Sequence, residues 1–158
     1  MVFPEGVERV SAYIREAGAE ARIQEFPDGT HTAQDAADAV GCELAQIVKS
    51  LVFVCDERFV VALVPGDRRG DPEKVAKAVE TSRARVANAE EVEQATGFGP
   101  GAVAPFPLPR VDVVLMDRGF SRYPLVWAGA GSVKHVLGMT PAELARVARA
   151  RTVDVSSD

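Results

Sequence analysis

Lys49 is an ionisable residue in the middle of an apolar segment, residues 47 to 55, whose β-branched side chains are typical of a strand. Because successive side chains of a strand point to opposite faces, Lys49 shares its face with Ile47, Leu51 and Phe53. A charged group on such a face needs water, a hydrogen-bond partner or a ligand, since burial of an unpaired charge is costly. The ammonium could therefore stabilise an anion or a developing oxyanion. The alternative, which is common in proteins, is an edge-strand lysine whose stem covers apolar surface while its charge reaches water.

The segment from residue 97 to residue 109 is the densest in glycine and proline, and we interpret it as a functional loop. Its glycines fit the relaxed dinucleotide-binding pattern G-x-G-x-x-A. We reject that function because a helix is predicted before the glycines where a strand is needed, and Pro105, Pro107 and Pro109 prevent a helix after them. Glycines allow backbone N–H groups to approach a carbonyl or phosphate oxygen closely, and prolines fix the shape of the loop. An ordinary rigid connection is the alternative.

Two other features could line a binding site. The sequence from Trp127 to Ser132 runs from a predicted strand into Gly129 and Gly131, and such a turn can form the wall of a pocket or simply end the strand. Asp117 follows a second predicted strand, where its carboxylate could position a ligand or cap a turn. The sequence leaves both alternatives open.

A side-chain nucleophile is not marked by any of the usual motifs. A nucleophilic serine, Ser50 or Ser132, that acts with His135 remains an open alternative, but no nucleophile-elbow pattern surrounds either serine. Cys42 and Cys55 are far apart and form no Cys-x-x-Cys motif, so we expect buried, reduced thiols. Neither histidine of the chain has a His-x-x-x-His or cysteine partner, and both are expected in loops or at strand edges. We therefore expect no metal and no other cofactor.

The elements that must position these residues alternate between helical and strand patterns. Two neighbouring apolar strands, 47 to 55 and 59 to 64, predict a hairpin, and their continuous apolar character implies a sheet covered on both faces by helices. The patterns as a whole predict an α+β domain with a mixed sheet of six to eight strands. The other predicted elements are helices over residues 5 to 17, 32 to 41, 71 to 80, 88 to 97 and 140 to 149, and strands near residues 21 to 26, 111 to 116 and 125 to 128.

The composition is that of one globular domain, which we expect to span residues 1 to 158. A hydrophobic fraction of 47% and a charged fraction of 26% exclude a disordered or fibrous chain. The net charge of −5 argues against a protein that coats nucleic acid, although it leaves room for binding one nucleic-acid end. No apolar run reaches the roughly 18 residues that span a membrane, and the first residues do not resemble a signal peptide. We therefore expect a soluble, cytoplasmic protein.

Three motifs in this order resemble the YbaK/prolyl-tRNA synthetase associated-domain family. They are an apolar strand that carries a lysine, a Gly-Pro loop that follows Thr-Gly-Phe, and a late Ala-Gly-Ala-Gly step. A Thr-Ala-Gln-Asp-Ala segment before the lysine strand also fits the family. The ordered set covers almost the whole chain and is more specific than any one motif. The matching segments are residues 47 to 51, 96 to 105, 128 to 131 and 32 to 36.

The resemblance implies a largely antiparallel sheet and a freestanding trans-editing deacylase, which hydrolyses the ester of a mischarged aminoacyl-tRNA. Its partners would be the acceptor end of that tRNA and, as a further candidate, an aminoacyl-tRNA synthetase. Lys49 would be the catalytic group beside the terminal adenosine and its phosphate or the ester. Backbone donors of the Gly-Pro loop would hold the aminoacyl group, and the late glycines would line the pocket. The candidate substrate-binding residues are Thr32, Gly97, Phe98, Gly99, Pro100, Gly101, Ala102, Pro105, Asp117, Gly129 and Gly131.

Several alternatives remain open from the sequence. The loop departs from the frequent Gly-Gly-x-x-Pro form because Ala102 follows Gly101, so cysteine, alanine, serine and threonine all stay candidate substrates, and tRNA-Pro a candidate carrier. A pocket distinguishes such side chains by only about 1–3 kcal/mol per methylene. No protein base is evident, and a hydroxyl of the terminal ribose could fill that role. A noncatalytic module that binds a tRNA end or a nucleotide, or a regulatory partner of a synthetase, is the other class of function.

Overall fold

The computed structural model describes residues 3–158, which form five α-helices. Four of the helices begin at a side chain that accepts a hydrogen bond from the first turn: Thr32, Asp71, Asn88 and Thr140. Such caps satisfy backbone N–H groups that have no partner within the helix. The helices are α1 (Glu5–Ala17), α2 (Ala33–Val40), α3 (Pro72–Ala78), α4 (Ala89–Thr96) and α5 (Pro141–Ala148).

The strands form an eight-stranded sheet and a separate two-stranded one. They are β1 (Arg22–Glu25), β2 (Ile47–Cys55), β3 (Arg58–Pro65), β4 (Arg69–Gly70), β5 (Ala84–Val86), β6 (Val113–Asp117), β7 (Val126–Ser132), β8 (His135–Met139), β9 (Arg151–Val153) and β10 (Ser156–Ser157). The large sheet has the order β1-β8-β7-β2-β3-β6-β9, with β5 also paired to β2, while β4 pairs with β10. The β2–β7, β3–β6 and β6–β9 pairs are parallel, and the other pairs are antiparallel. The predicted α+β class and mixed, largely antiparallel sheet are confirmed.

Helices cover both faces of the central hairpin, as the continuous apolar strands predicted. Val48 and Val52 of β2 pack in one cluster with Val10 of α1, while Phe53 packs on the opposite face with Val75 of α3. Fully burying one side chain of this size contributes about 1.5–3 kcal/mol. Alternate residues of β2 are therefore anchored on opposite sides of the sheet, which fixes the direction of every side chain along the strand.

The structure contains strands that the sequence patterns did not predict. β8 and the short strands β4, β5, β9 and β10 were not predicted, and β7 continues to Ser132 where the pattern ended it at Ala128. β5 and β9 are held by pairing with strands distant in the sequence, which local periodicity does not report, whereas β8 pairs both with its chain neighbour β7 and with the distant β1. Position 138 of β8 requires glycine for close packing, because a Cβ there would lie 2.8 Å from the ring of Trp127 on the adjacent strand. No helix within residues 3–158 is long and apolar enough to cross a bilayer.

Candidate active site

A cleft of about 280 Å³ opens where two parallel strands separate. β2 and β7 pair over only two residues each, Ile47–Val48 and Trp127–Ala128, and β5 joins that side of β2 from Phe53 onward. Residues 49 to 51 of β2 therefore have no partner strand on this side within the described chain. The start of α2, the Gly-Pro loop and the β7–β8 hairpin form the other walls. The central lining residues are Thr32, Lys49, Ser50, Gly101, Gly129, Ser132 and His135.

Lys49 lies at this opening with its side chain half-buried. Its ammonium donates a hydrogen bond to the backbone carbonyl of Arg68, in the loop after β3. Burial lowers the pKa of Lys49, the carboxylate of Asp67 opposes that shift, and Arg69 adds to it. One of the three ammonium donors is used by the carbonyl, which leaves donors for an oxygen atom of a bound molecule.

The backbone of Ser50 faces the gap between β2 and β7. Ile47 directs its carbonyl toward β3, where it accepts from Gly66, and Val52 directs its carbonyl to the other side, where it accepts from Ala87. Because these directions alternate along a strand, the N–H and C=O of Ser50 point into the cleft. The Ser50 hydroxyl is buried and has no hydrogen-bond partner within residues 3–158. An unpaired buried hydroxyl costs about 1–3 kcal/mol.

The Gly-Pro loop closes the cleft beside β7. Gly101 has a left-handed φ of 82°, a conformation that glycine adopts without strain. The carbonyl of Val103 approaches Gly129 so closely that a Cβ on Gly129 would lie 3.0 Å from its oxygen. Gly129 therefore permits the loop to pack against the end of β7, and Gly101 and Val103 are the loop residues that line the cleft.

His135 is 2% exposed and is the first residue of β8, while His31 lies in the loop before α2. Its Nδ1 atom lies 2.7 Å from the hydroxyl oxygen of Ser132, across the β7–β8 pair. Its Nε2 atom lies 3.3 Å from a carboxylate oxygen of Glu25, although the two are too poorly aligned for a hydrogen bond. The serine–histidine pair that the sequence left open is therefore present in the cleft wall.

The α2 side of the cleft is built by two threonines. Thr32 accepts a hydrogen bond from the backbone N–H of Asp35 at 3.0 Å and so begins the helix. Thr30, which the sequence analysis did not single out, donates from its backbone N–H and its hydroxyl to the carbonyl of Val133. No periodic pattern marks Thr30, because its position depends on contact with the distant β7–β8 turn.

Most of the other predicted binding residues lie outside the cleft lining, and several have visible structural roles. Asp117 is 4% exposed, and its carboxylate accepts from the backbone N–H groups of Gly119 and Val155. Phe98 is buried beneath the guanidinium of Arg9, which lies 4.5 Å from its ring centre. The predicted residues that do not line the cleft are Gly97, Phe98, Gly99, Pro100, Ala102, Pro105, Asp117 and Gly131.

Gly131 has a packing role of its own. A Cβ at this position would lie 2.5 Å from backbone atoms of Gly6, at the start of α1. The glycine therefore allows α1 to contact the end of β7 directly. Since Ser132 follows immediately, this contact fixes the part of β7 that lines the cleft.

Comparison with known proteins agrees with this architecture. A family model described as the aminoacyl-tRNA editing domain matches residues 27–147. The crystal structure of a candidate trans-editing enzyme for prolyl tRNA synthetase superposes with a TM-score of 0.91 at 34% sequence identity, covering 99% of this chain and 100% of that one.

Two relatives differ in how much of their length is shared. A proline–tRNA ligase of Xanthomonas oryzae pv. oryzae (strain MAFF 311018) is 32% identical over 137 residues, which are 84% of this chain and 24% of the ligase. This chain therefore spans about a quarter of that enzyme. The uncharacterized protein YwhH of Bacillus subtilis (strain 168) is 29% identical over 138 residues, covering 86% of this chain and 87% of YwhH.

This chain shares its fold, over 99% of its length, with that candidate trans-editing enzyme. The chain belongs to the aminoacyl-tRNA editing domain family. The resemblance to YbaK proteins that the sequence motifs indicated is thereby confirmed.

Proposed function

We propose that this chain is a freestanding trans-editing deacylase that hydrolyses mischarged aminoacyl-tRNA. The amino acid is a small one, with cysteine, alanine, serine and threonine as candidates, and tRNA-Pro is the candidate carrier. The family match and the full-length similarity to a candidate trans-editing enzyme support the deacylase role. Such an enzyme contacts the acceptor end of its tRNA and works in the cytoplasm, where tRNA is charged.

The half-buried ammonium of Lys49 at the unpaired edge of β2 is the observation that carries this proposal. The cleft volume of about 280 Å³ lies just below the roughly 300–1,000 Å³ of pockets that enclose drug-sized ligands. A small aminoacyl group with its ester is a suitable occupant for a site of this size. Phosphate and sugar groups of the acceptor end would remain at the mouth.

Hydrolysis joins a water oxygen to the ester carbonyl carbon and breaks the bond between that carbon and the ribose oxygen, which takes up a proton. The intermediate carries an oxyanion, and donors that are already in place stabilise it without reorganisation. Lys49 and the backbone N–H of Ser50 are the donors that we assign to it. We assign the positioning of the attacking water and the proton transfer to the ribose hydroxyl beside the ester, because Lys49 and the Ser50 N–H are donors and Nδ1 of His135 is already paired with Ser132.

Release of amino acid from a panel of charged tRNAs tests the substrate assignment. We expect faster release of alanine, cysteine, serine or threonine from tRNA-Pro than of the cognate proline. The matched control is the same amino acid on its own cognate tRNA, which separates recognition of the side chain from recognition of the tRNA. Equal release of all amino acids, proline included, would contradict the proposed selectivity.

Replacement of both cysteines is expected to preserve most of the deacylase activity. Cys55 is fully buried and Cys42 is half-buried, and burial raises the pKa of both thiols, so neither is activated as a thiolate. The double variant Cys42→Ser/Cys55→Ser should retain turnover within about threefold while its melting temperature falls, since a buried hydroxyl at position 55 replaces an apolar contact. A thioester between either cysteine and the amino acid, trapped by acid quench, would contradict this.

Gly101→Val is expected to reduce turnover more than stability. The left-handed φ of 82° is unfavourable for a β-branched residue, so the exposed loop should shift away from its position in the cleft wall. Gly99→Ala is the matched control, because Gly99 lies in the same loop without a left-handed φ and a Cβ there would meet nothing within 4 Å. Thermal unfolding and turnover are measured in parallel. Equal losses in both for Gly101→Val would assign the loop a purely structural role.

A further inference from the structure

Three neighbouring strands place one polar side chain each in a row beside the cleft. Glu25 of β1 lies directly opposite His135 of β8, and His135 lies directly opposite Ser132 of β7. The serine and the histidine line the cleft, while the carboxylate of Glu25 lies behind the histidine. This row is independent of Lys49, which comes from β2 on the other side of the opening.

The contacts of His135 favour one position for its ring proton. A carboxylate oxygen 3.3 Å from Nε2 favours a proton on that nitrogen, which leaves Nδ1 as an acceptor. The Ser132 hydroxyl, 2.7 Å from Nδ1, then donates its hydrogen to the ring. The serine oxygen also accepts from the backbone N–H of Lys134 at 3.0 Å. Because the Ser132 hydroxyl hydrogen is donated to His135, only one lone pair of the oxygen remains free. Toward the cleft, Ser132 therefore acts only as a hydrogen-bond acceptor.

The charged groups around the cleft differ in sign between its two sides. Residues that line it include the ammonium of Lys49 but no carboxylate within the described chain. An aminoacyl ester has two unlike ends near its reacting carbon: oxygens on the ester side and an α-ammonium on the other. Lys49 repels the ammonium, whereas Glu25 places a negative charge behind the Ser132–His135 pair.

We propose that Ser132 binds the α-ammonium group of the aminoacyl ester, and that Glu25 is a positioning residue that holds Ser132 in its acceptor state through His135. The inference rests on the proposed deacylase function and adds a subsite to it. Hydrogen bonds to charged groups are stronger than those between neutral groups, so this contact would orient the ester carbonyl toward Lys49.

Alanyl-tRNA and lactyl-tRNA separate this role from a structural one, because a hydroxyl replaces the α-ammonium in lactyl-tRNA and the rest of the molecule is unchanged. Ser132→Ala is expected to raise KM for alanyl-tRNA about tenfold or more and to change lactyl-tRNA hydrolysis much less. Ser132→Thr, which keeps a hydroxyl, should have a KM for alanyl-tRNA close to that of the wild-type protein. Equal losses on both substrates, or no loss on either, would overturn the proposal.

Glu25→Gln tests the positioning role. Glu25→Gln removes the negative charge beside Nε2 and with it the preference for a proton on that nitrogen. The ring proton can then move to Nδ1, which turns the Ser132 hydroxyl hydrogen toward the cleft, where it opposes an ammonium. We expect a higher KM for alanyl-tRNA with kcat nearly unchanged, and little effect with lactyl-tRNA. Glu57→Gln, an exposed carboxylate in the β2–β3 turn, is the control for loss of one charge. An unchanged KM in Glu25→Gln would overturn its positioning role, and a wild-type protein that releases neither acyl group would overturn the deacylase function as well.

Discussion

Lys49→Ala is expected to lower single-turnover deacylation at least tenfold while the protein stays folded. The ammonium is held at the edge of the cleft by the Arg68 carbonyl, and it is the cationic donor that we assign to the oxyanion. A tenfold effect requires a loss of only about 1.4 kcal/mol of transition-state stabilisation. Donors of this kind commonly contribute more than that.

Lys77→Ala is the matched control for the Lys49 variant. Lys77 is exposed on α3 and does not line the cleft, so its removal changes the net charge equally without changing the site. Circular dichroism and thermal unfolding establish that both variants are folded. Near-normal release of amino acid by a folded Lys49→Ala protein would contradict its catalytic role.

The second large effect is expected from a change in the substrate. Replacing the ribose hydroxyl beside the ester with hydrogen should slow the chemical step by about 10² or more, as expected when one positioned proton-transfer group is lost. The cleft supplies donors from Lys49 and Ser50, but the serine hydroxyl of Ser132 is already committed to His135. The substrate would therefore complete the site with its own hydroxyl.

Single-turnover deacylation of deoxy-terminated, mischarged tRNA measures this effect. Binding should change little, because the phosphates and the base remain, and competition against the ordinary substrate checks that separately. An unchanged rate would mean that the catalytic base is a group of the protein and not the ribose hydroxyl. His135 and the exposed His31 would then be the first residues to substitute, whereas Asp117 is committed to the backbone N–H groups of Gly119 and Val155.

The central hairpin and the helices were predictable because their signals are local. Residues 47 to 55 form β2 with the predicted bounds, and the Asn88 cap begins α4 where the sequence placed it. Lys49 could be singled out for the same reason, since an ammonium within a strand pattern is visible without knowing the fold. Its partner, the carbonyl of Arg68, could not be predicted, because a backbone acceptor carries no sequence signal.

The cleft itself could not be predicted from spacing. It exists because β2 and β7 pair over two residues and then separate, and β8, which carries His135, was missed altogether. The Gly-Pro loop was predicted as a continuous binding segment, yet it meets the cleft at Gly101 and Val103, while Phe98 and Pro105 are buried. A glycine that permits chain packing, such as Gly131, has the same sequence signal as one that lines a pocket.

Catalytic release of amino acid is the measurement that distinguishes an enzyme from a module that only binds the tRNA end. Mischarged tRNA-Pro carrying a small amino acid is incubated with the purified chain at a substrate excess of about fiftyfold, and free amino acid is followed over time alongside a filter-binding assay. The deacylase function predicts many turnovers per chain, an initial rate proportional to protein concentration, and loss of that rate in Lys49→Ala. Binding of these tRNAs with release no faster than in buffer would contradict it.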